Sequence, residues 1–205
     1  MAEISAKDVQ ALRLEAGVGM MDAKKALVET GGDAEAALEI LREKGLLKVA
    51  KRAERTASHG TVGHYIHIQQ GRAVAGVLVD LACETDFVAK SDEFVDIAND
   101  IALHISWGQP LWIDRGEADD EHLTAKREEF TAEAEEEGKP SDLLPKIVDG
   151  KIEKYLKDAS LNEQVFVNPD KFDGTVGAMV TQLAAKMGEN ISVRRFERVA
   201  IGEGS

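Results

Sequence analysis

The sequence is poor in cysteine, in aromatic side chains and in proline. One cysteine, Cys83, in 205 residues excludes an intramolecular disulfide and a thiolate zinc cage. Aromatics make up only 5% of the chain, so any core is built mainly from Ala, Val, Leu and Ile. No stretch reaches the roughly 18 consecutive apolar residues of a membrane-spanning helix. The opening Met-Ala-Glu-Ile-Ser-Ala lacks the basic and apolar regions of a secretory signal, and the expected compartment is the reducing cytoplasm. Two motifs of catalysis are missing as well. There is no Gly-x-x-x-x-Gly-Lys-Ser/Thr phosphate cradle and no Gly-x-Ser-x-Gly nucleophile elbow.

What is present is ordinary globular material, 43% apolar and 31% charged, in a length that allows one large domain or two small ones. The net charge is −13, and it is unevenly spread. Residues 1–56 carry ten charges of each sign, 57–115 three basic and eight acidic, 116–150 four basic and twelve acidic, and 151–205 eight of each. An acidic middle repels a phosphate backbone, which argues against direct nucleic-acid binding. It favours encounter with a basic protein partner.

Periodicity divides the chain into modules. Ser5 is placed to cap a helix running to about Glu15, with Val9, Leu12 and Ala16 on one face. Gly17-Val18-Gly19 breaks it, and a second helix turns Met21, Ala26 and Leu27 inward until Gly31-Gly32. Asp33 caps a third, with Ala37, Leu38 and Leu41 in helical register and Gly45 as its stop. Leu46 to Ala57 reads as a helical tether. From Gly60 the period becomes two: Val62, His64, Ile66 and Ile68 alternate, Gln70-Gly71-Arg72 turns, and Val74 to Cys83 returns as a more apolar strand. Ser91 opens a helix to about Trp107 with Phe94, Val95, Ala98, Ile101, Ala102 and Ile105 as its buried stripe. Glu121–Glu137 and a helix ending near Asp158 form an antiparallel hairpin, whose second helix tolerates Pro145 only if it begins there. Val176 to Met187 is a last helix, and Ile191 to Ile201 a last strand. The expected fold class is α+β: a three-helix module at 1–45, a tether at 46–57, a core of 58–120 and 159–205 with a small antiparallel sheet, and a projecting helical hairpin at 121–158.

Candidate chemistry is sparse. His64 and His67, three apart on a strand, point to opposite faces and cannot share an ion. Asp119-Asp120-Glu121 lies where a helix starts, and its charge suits that end. Cys83, closing an apolar strand, reads as a small buried residue. No metal or cofactor site is expected. One loop stands out, Thr85-Asp86-Phe87-Val88-Ala89-Lys90, between a strand and a helix. Either Phe87 folds back under the helix as core, or it protrudes as an apolar wedge with Asp86 beside it. In the first module, adjacent Met20 and Met21 cannot share one buried face. That leaves one of them, with Arg13, as a contact for a partner's apolar pocket; the plain alternative is a lone surface methionine.

These stretches resemble a known family. Leu12-Arg13 with Gly17-Val18-Gly19-Met20-Met21-Asp22-Ala23-Lys24-Lys25-Ala26-Leu27 is similar to the amino-terminal signature of the elongation factor Ts family. Gly32-Asp33 before Leu41-Arg42-Glu43-Lys44-Gly45 also fits that signature. Cys83-Glu84-Thr85-Asp86-Phe87-Val88-Ala89 resembles the second signature, and Gly188-Glu189-Asn190-Ile191-Ser192-Val193-Arg194-Arg195-Phe196 the closing strand. The resemblance implies a ubiquitin-associated-like first module and a coiled-coil hairpin. It implies guanine nucleotide exchange on elongation factor Tu, a binding task without covalent catalysis. In that role Thr85, Asp86, Phe87 and Val88 push into the partner's nucleotide-binding domain and dislodge its magnesium, while Arg13, Met20 and Met21 dock on the same domain. The core touches a second domain of the partner. The single half-core, as in short members, implies a homodimer paired sheet on sheet. Val165, where the family often has proline, and Pro145 depart from the pattern. The competing reading is a ubiquitin-like or peptide-binding adaptor acting through the first module. A hydrolase built on Glu84, Asp86 and a histidine has no supporting spacing.

Overall fold

The computed structural model describes residues 4–16, 18 and 20–202, with the backbone alone at 46, 47, 48 and 50. The order is α1 (Ala6–Ala16), α2 (Met20–Glu29), α3 (Ala34–Arg52), β1 (His59–Gln69), β2 (Arg72–Cys83), α4 (Asp86–Ala89), α5 (Asp92–Gly108), α6 (Asp120–Glu136), α7 (Leu144–Ala159), α8 (Val176–Met187) and β3 (Ser192–Ala200). Short 3-10 turns stand at Arg115–Glu117 and Leu161–Glu163. The architecture is the expected α+β, with three helices ahead of a small antiparallel sheet of order β1-β2-β3. Among the described residues no helix is long and apolar enough to cross a membrane.

The chain divides into two compact units. The first holds residues up to 60, with Ala82–Val88 and Val180–Ser192. Its helices α1 to α3 bury Val9, Leu12, Ala23, Ala26, Leu27, Ala37 and Leu41 together. Ser5 and Asp8 close a reciprocal capping box: Asp8 N–H donates to Ser5 Oγ at 3.2 Å, and Ser5 N–H to Asp8 Oδ2 at 3.0 Å. The Ser5 hydroxyl also donates to Asp8 Oδ2 at 2.7 Å, and this bond, then the Ser5 N–H bond, holds the Asp8 carboxyl below its usual range. Asp33 caps α3, accepting from Ala36 N–H at 3.1 Å. The break expected at Gly17-Val18-Gly19 involves two glycines outside the described residues.

Two expectations fail in this unit. Met21 does not turn inward; it is 65% exposed, because the Ala23, Ala26, Leu27 stripe sets the buried face of α2 and Met21 lies off it. Gly45 does not end α3, which continues to Arg52. A helical glycine costs only ~1 kcal/mol. The nearest atom to a Cβ built at Gly45 is the Ala185 Cβ, 3.7 Å away, so packing at this point continues without needing a stop.

The second unit holds Thr61–Leu81, Ala89–Met179 and the chain after Ser192. Strands β1 and β2 are joined by Gln70 and Gly71, both at positive φ (51° and 76°), the combination of a tight hairpin turn whose twist matches the strands. Helix α5 lies against the inner face of β1. A Cβ on Gly63 would sit 2.2 Å from the Ala98 carbonyl oxygen, and His64 N–H donates to Asn99 Oδ1 at 2.9 Å. The α5 stripe is as expected except that Val95 is only half-buried and His104 is buried. Helices α6 and α7 form the antiparallel hairpin. Asp119 caps α6 through His122 N–H at 2.7 Å, and Pro145 lies in the first turn of α7, where its missing N–H costs nothing.

Among the described residues, His104 is a buried polar group whose titration can be followed. Its Nδ1 accepts from Val167 N–H at 3.2 Å. Its Nε2 faces Gln164 Oε1 at 2.8 Å, and Gln164 Nε2 is committed to the Gly108 and Asp158 carbonyls. The ring is therefore neutral with its proton on Nε2. Burial holds its pKa below the ordinary imidazole value, against an opposing effect of the Gln164 bond. Because the folded pKa is depressed, the unfolded chain binds the extra proton first. Stability is full above about pH 6.5 and falls as pH drops below that towards the folded value. Melting temperature measured from pH 7.5 to 5 is expected to fall, and His104→Gln is expected to flatten the curve. An equal slope in both proteins would contradict the assignment.

Candidate functional site

The site is a corner of the first unit where β2 ends. The residues after Cys83 form one turn of helix, α4, rather than the open loop that the sequence suggested. Thr85 caps it, its Oγ1 accepting from Val88 N–H at 3.3 Å. A single turn divides its side chains between inside and outside. Val88 is 6% exposed and Ala89 8%, whereas Phe87 is 83% exposed. Of the two readings of Phe87, the core reading is excluded in the isolated chain. Burying Val88 anchors the turn, and the helical advance of ~100° per residue then leaves Phe87 outside. Asp86 and Thr85 are also exposed, and Val88 is not. The four residues therefore divide into an outer group, Thr85, Asp86 and Phe87, and an inner anchor.

Polar contacts from distant parts of the chain fix this turn. Glu189, just beyond α8, accepts at Oε2 from Glu84 N–H (2.9 Å) and Thr85 N–H (3.1 Å), and at Oε1 from the Thr85 hydroxyl (2.6 Å). In return Glu84 Oε1 accepts from Asn190 N–H at 2.7 Å, and Arg55 Nη1 stands 3.5 Å from the same oxygen. Asn190 Nδ2 donates to the Ala53 and Arg55 carbonyls at 3.2 and 2.8 Å, so the segment after α3 is tied to the same corner. The buried Cys83 thiol donates to the Thr85 carbonyl at 3.2 Å, a packing role with a weak bond. Glu84, Glu189 and Asn190 stand in the quoted motifs, but their contact was not foreseen from the sequence, because more than a hundred residues separate Glu84 from Glu189 and Asn190.

The other predicted contacts lie on the three-helix bundle. Arg13 is exposed on α1, and Met20 and Met21 are 47% and 65% exposed on α2. Both methionines thus face out, rather than one. On β1, His64 is exposed and His67 pairs with the Tyr65 hydroxyl at 3.1 Å. Among the described residues no group of three or more His, Cys, Asp or Glu is arranged to hold a metal.

The site is thus an apolar ring left in water on a turn tied down by Glu189, the kind of feature that suits contact with another protein. The family model described as "Elongation factor TS" matches residues 21–173. The chain is 47% identical over 204 residues to elongation factor Ts of Desulforamulus reducens, covering 100% of this chain and 92% of that one. It is 48% identical over 202 residues to that of Alkaliphilus metalliredigens (98% and 91%) and 44% identical over 203 residues to that of Solidesulfovibrio magneticus (99% and 99%). The chain belongs to the elongation factor Ts family, whose role is nucleotide exchange in translation elongation.

Proposed function

We propose that this protein is a guanine nucleotide exchange factor that binds elongation factor Tu in its GDP form, displaces the magnesium ion and so promotes GDP release. The observation that carries the proposal is Phe87, 83% exposed on a turn whose neighbouring Val88 is sealed inside. Magnesium offsets the charge of GDP phosphate oxygens, and shifting the groups that hold it leaves those phosphates under-compensated. Burying a Phe side chain in a partner's pocket supplies ~1.5–3 kcal/mol, enough for a ten- to hundredfold change in release rate at ~1.4 kcal/mol per decade. Thr85 and Asp86 accompany the ring, and Val88 acts from within by holding the turn. Arg13, Met20 and Met21, on a ubiquitin-associated-like module, add docking area on the same nucleotide-binding domain, while the core meets a second domain. Linkage makes the coupling reciprocal, so bound GDP weakens the exchange factor by the factor by which the factor weakens GDP. No bond is made or broken on this chain, and neither nucleic acid nor a membrane is needed. The cytoplasm is the setting this task requires.

Release of fluorescent GDP from elongation factor Tu tests the proposal: addition of this protein should accelerate it many-fold, and an unchanged rate would reject it. Capture of ubiquitin-like proteins or peptides by the intact chain, without accelerated release, would favour the adaptor reading instead.

The active form is a homodimer paired through the sheet. Val62, Ile66 and Ile68 on β1 and Leu78 on β2 are each more than half exposed. This is a run of large apolar side chains on the face away from α5, of the kind monomers seldom leave bare. Light scattering of the free protein should give twice the 22.2 kDa chain mass. Ile66→Glu with Leu78→Glu should return it to one chain mass, and a monomer in the unaltered protein would refute the pairing.

A further inference from the structure

We infer that Glu189 is a positioning residue for exchange, acting through the Thr85 hydroxyl to hold the turn that presents Phe87. The inference rests on the exchange reading above and adds to it a residue that lies more than a hundred positions from the ring it serves. The contacts form a chain in three links. Gly188, at φ 76°, lets the backbone leave α8 in the left-handed region that side chains disfavour, which brings Glu189 back against the end of β2. The Glu189 carboxylate then takes three donors from one place, Glu84 N–H, Thr85 N–H and Thr85 Oγ1–H. Because the hydroxyl proton is committed to Glu189 at 2.6 Å, the Thr85 oxygen keeps its lone pairs free to cap Val88 N–H. The cap sets the first turn of α4, and that turn sets which way Phe87 faces.

A four-residue helix cannot hold itself, since a single turn fixes several dihedrals for almost no internal hydrogen bonds. Its order must come from outside, and the described contacts that supply it include the buried Val88 and Ala89 and the Glu189 carboxylate. Val88 fixes where the turn sits, and Glu189 fixes how it begins. Without Glu189, two backbone N–H groups and a hydroxyl at this corner lose their acceptor. The turn then samples other starts, and the ring is presented correctly in only part of the population. The apparent activity falls by that fraction.

The test is a double-mutant cycle on the full-length protein, read by release of fluorescent GDP from elongation factor Tu. Glu189→Ala is expected to lower the accelerated rate about tenfold. Glu189→Gln should recover most of it, since the amide oxygen can accept from the two N–H groups while the amide nitrogen donates to the hydroxyl. In a Phe87→Ala background, Glu189→Ala should cause less than about a twofold further loss, because its effect passes through the missing ring. Losses that multiply independently, or a Glu189→Ala rate within twofold of the unaltered protein, would overturn the inference. Amide hydrogen exchange at 84–88 separates this failure from failure of the exchange reading. Faster exchange in Glu189→Ala supports positioning even if no GDP release is seen with any variant, and unchanged protection refutes positioning even if release is fast. Should Glu189→Ala not fold, Thr85→Val removes both the hydroxyl link to Glu189 and the cap on Val88 N–H; at least the same loss, with faster amide exchange at 86–88 and the same non-additivity with Phe87→Ala, is expected, and unchanged protection at 86–88 would overturn the inference.

Discussion

Phe87→Ala should slow GDP release from elongation factor Tu by roughly ten- to hundredfold while leaving the fold intact. The rate estimate follows from the ~1.5–3 kcal/mol available when a Phe side chain is buried in a partner. The second half follows from exposure: a ring 83% open to solvent contributes little to its own unit, and surface truncations of this kind stay within about 0.5 kcal/mol. Stopped-flow release of a fluorescent nucleotide measures the first, and a thermal melt measures the second. The two must be read together. A variant that melts well below the unaltered protein would place the ring inside its own subunit and remove the basis of the mechanism. Asp86→Ala should act in the same direction with a smaller effect, since an exposed carboxylate loses little by staying in water. Met20→Ala with Met21→Ala should weaken docking more than it slows release at saturation.

The largest effect on stability is expected from Gly63→Ala. A Cβ there would lie 2.2 Å from the Ala98 carbonyl oxygen, 2.4 Å from its carbonyl carbon and 2.8 Å from its Cβ. Two of those three atoms are helix backbone, so the clash is relieved only by lifting α5 from β1, which breaks the packing of the Ala98, Ile101, Ala102 stripe. Overpacking a well-filled core costs ~1–3 kcal/mol and sometimes more. At ~2–4 °C per kcal/mol for a chain of this size, the melting temperature should drop by roughly 2–12 °C. Gly76→Ala is the matched control. Its Cβ would meet only the Ile66 Cδ1 at 3.2 Å, the far end of a flexible side chain that can swing aside, so its melting point should move little. Equal losses from both variants would contradict a β1–α5 contact this close.

Much of the local structure was legible because it depends on neighbours in the chain. Ser5 and Asp33 cap the helices they precede, the Gln70-Gly71 turn sits between two alternating runs, and Pro145 marks the start of α7 because it can occupy few other places in a helix. The failures came where a local signal was overridden. Gly45 looks like a helix stop, yet a glycine's penalty is small beside the packing along α3. Met21 looks inward by rough spacing, but the small residues Ala23 and Ala26 define the closer-packed face. His104 was passed over because a lone histidine in an apolar stripe shows nothing of the acceptor and donor waiting for it at Gln164 and Val167.

By itself the sequence determined the family, the α+β class and the order of all elements but the short α4, and it drew attention to the Thr85–Val88 stretch and to Met20 and Met21, since capping, periodicity and motif spacing are properties of adjacent residues. Only the tertiary structure decided that Phe87 stands outside and Val88 inside, and that Glu189 and Asn190 hold the corner from which the ring projects. The reason is physical. Which side of a single helical turn faces solvent is set by what packs and bonds against it. Here those groups come from chain segments far away in sequence, brought together by the fold.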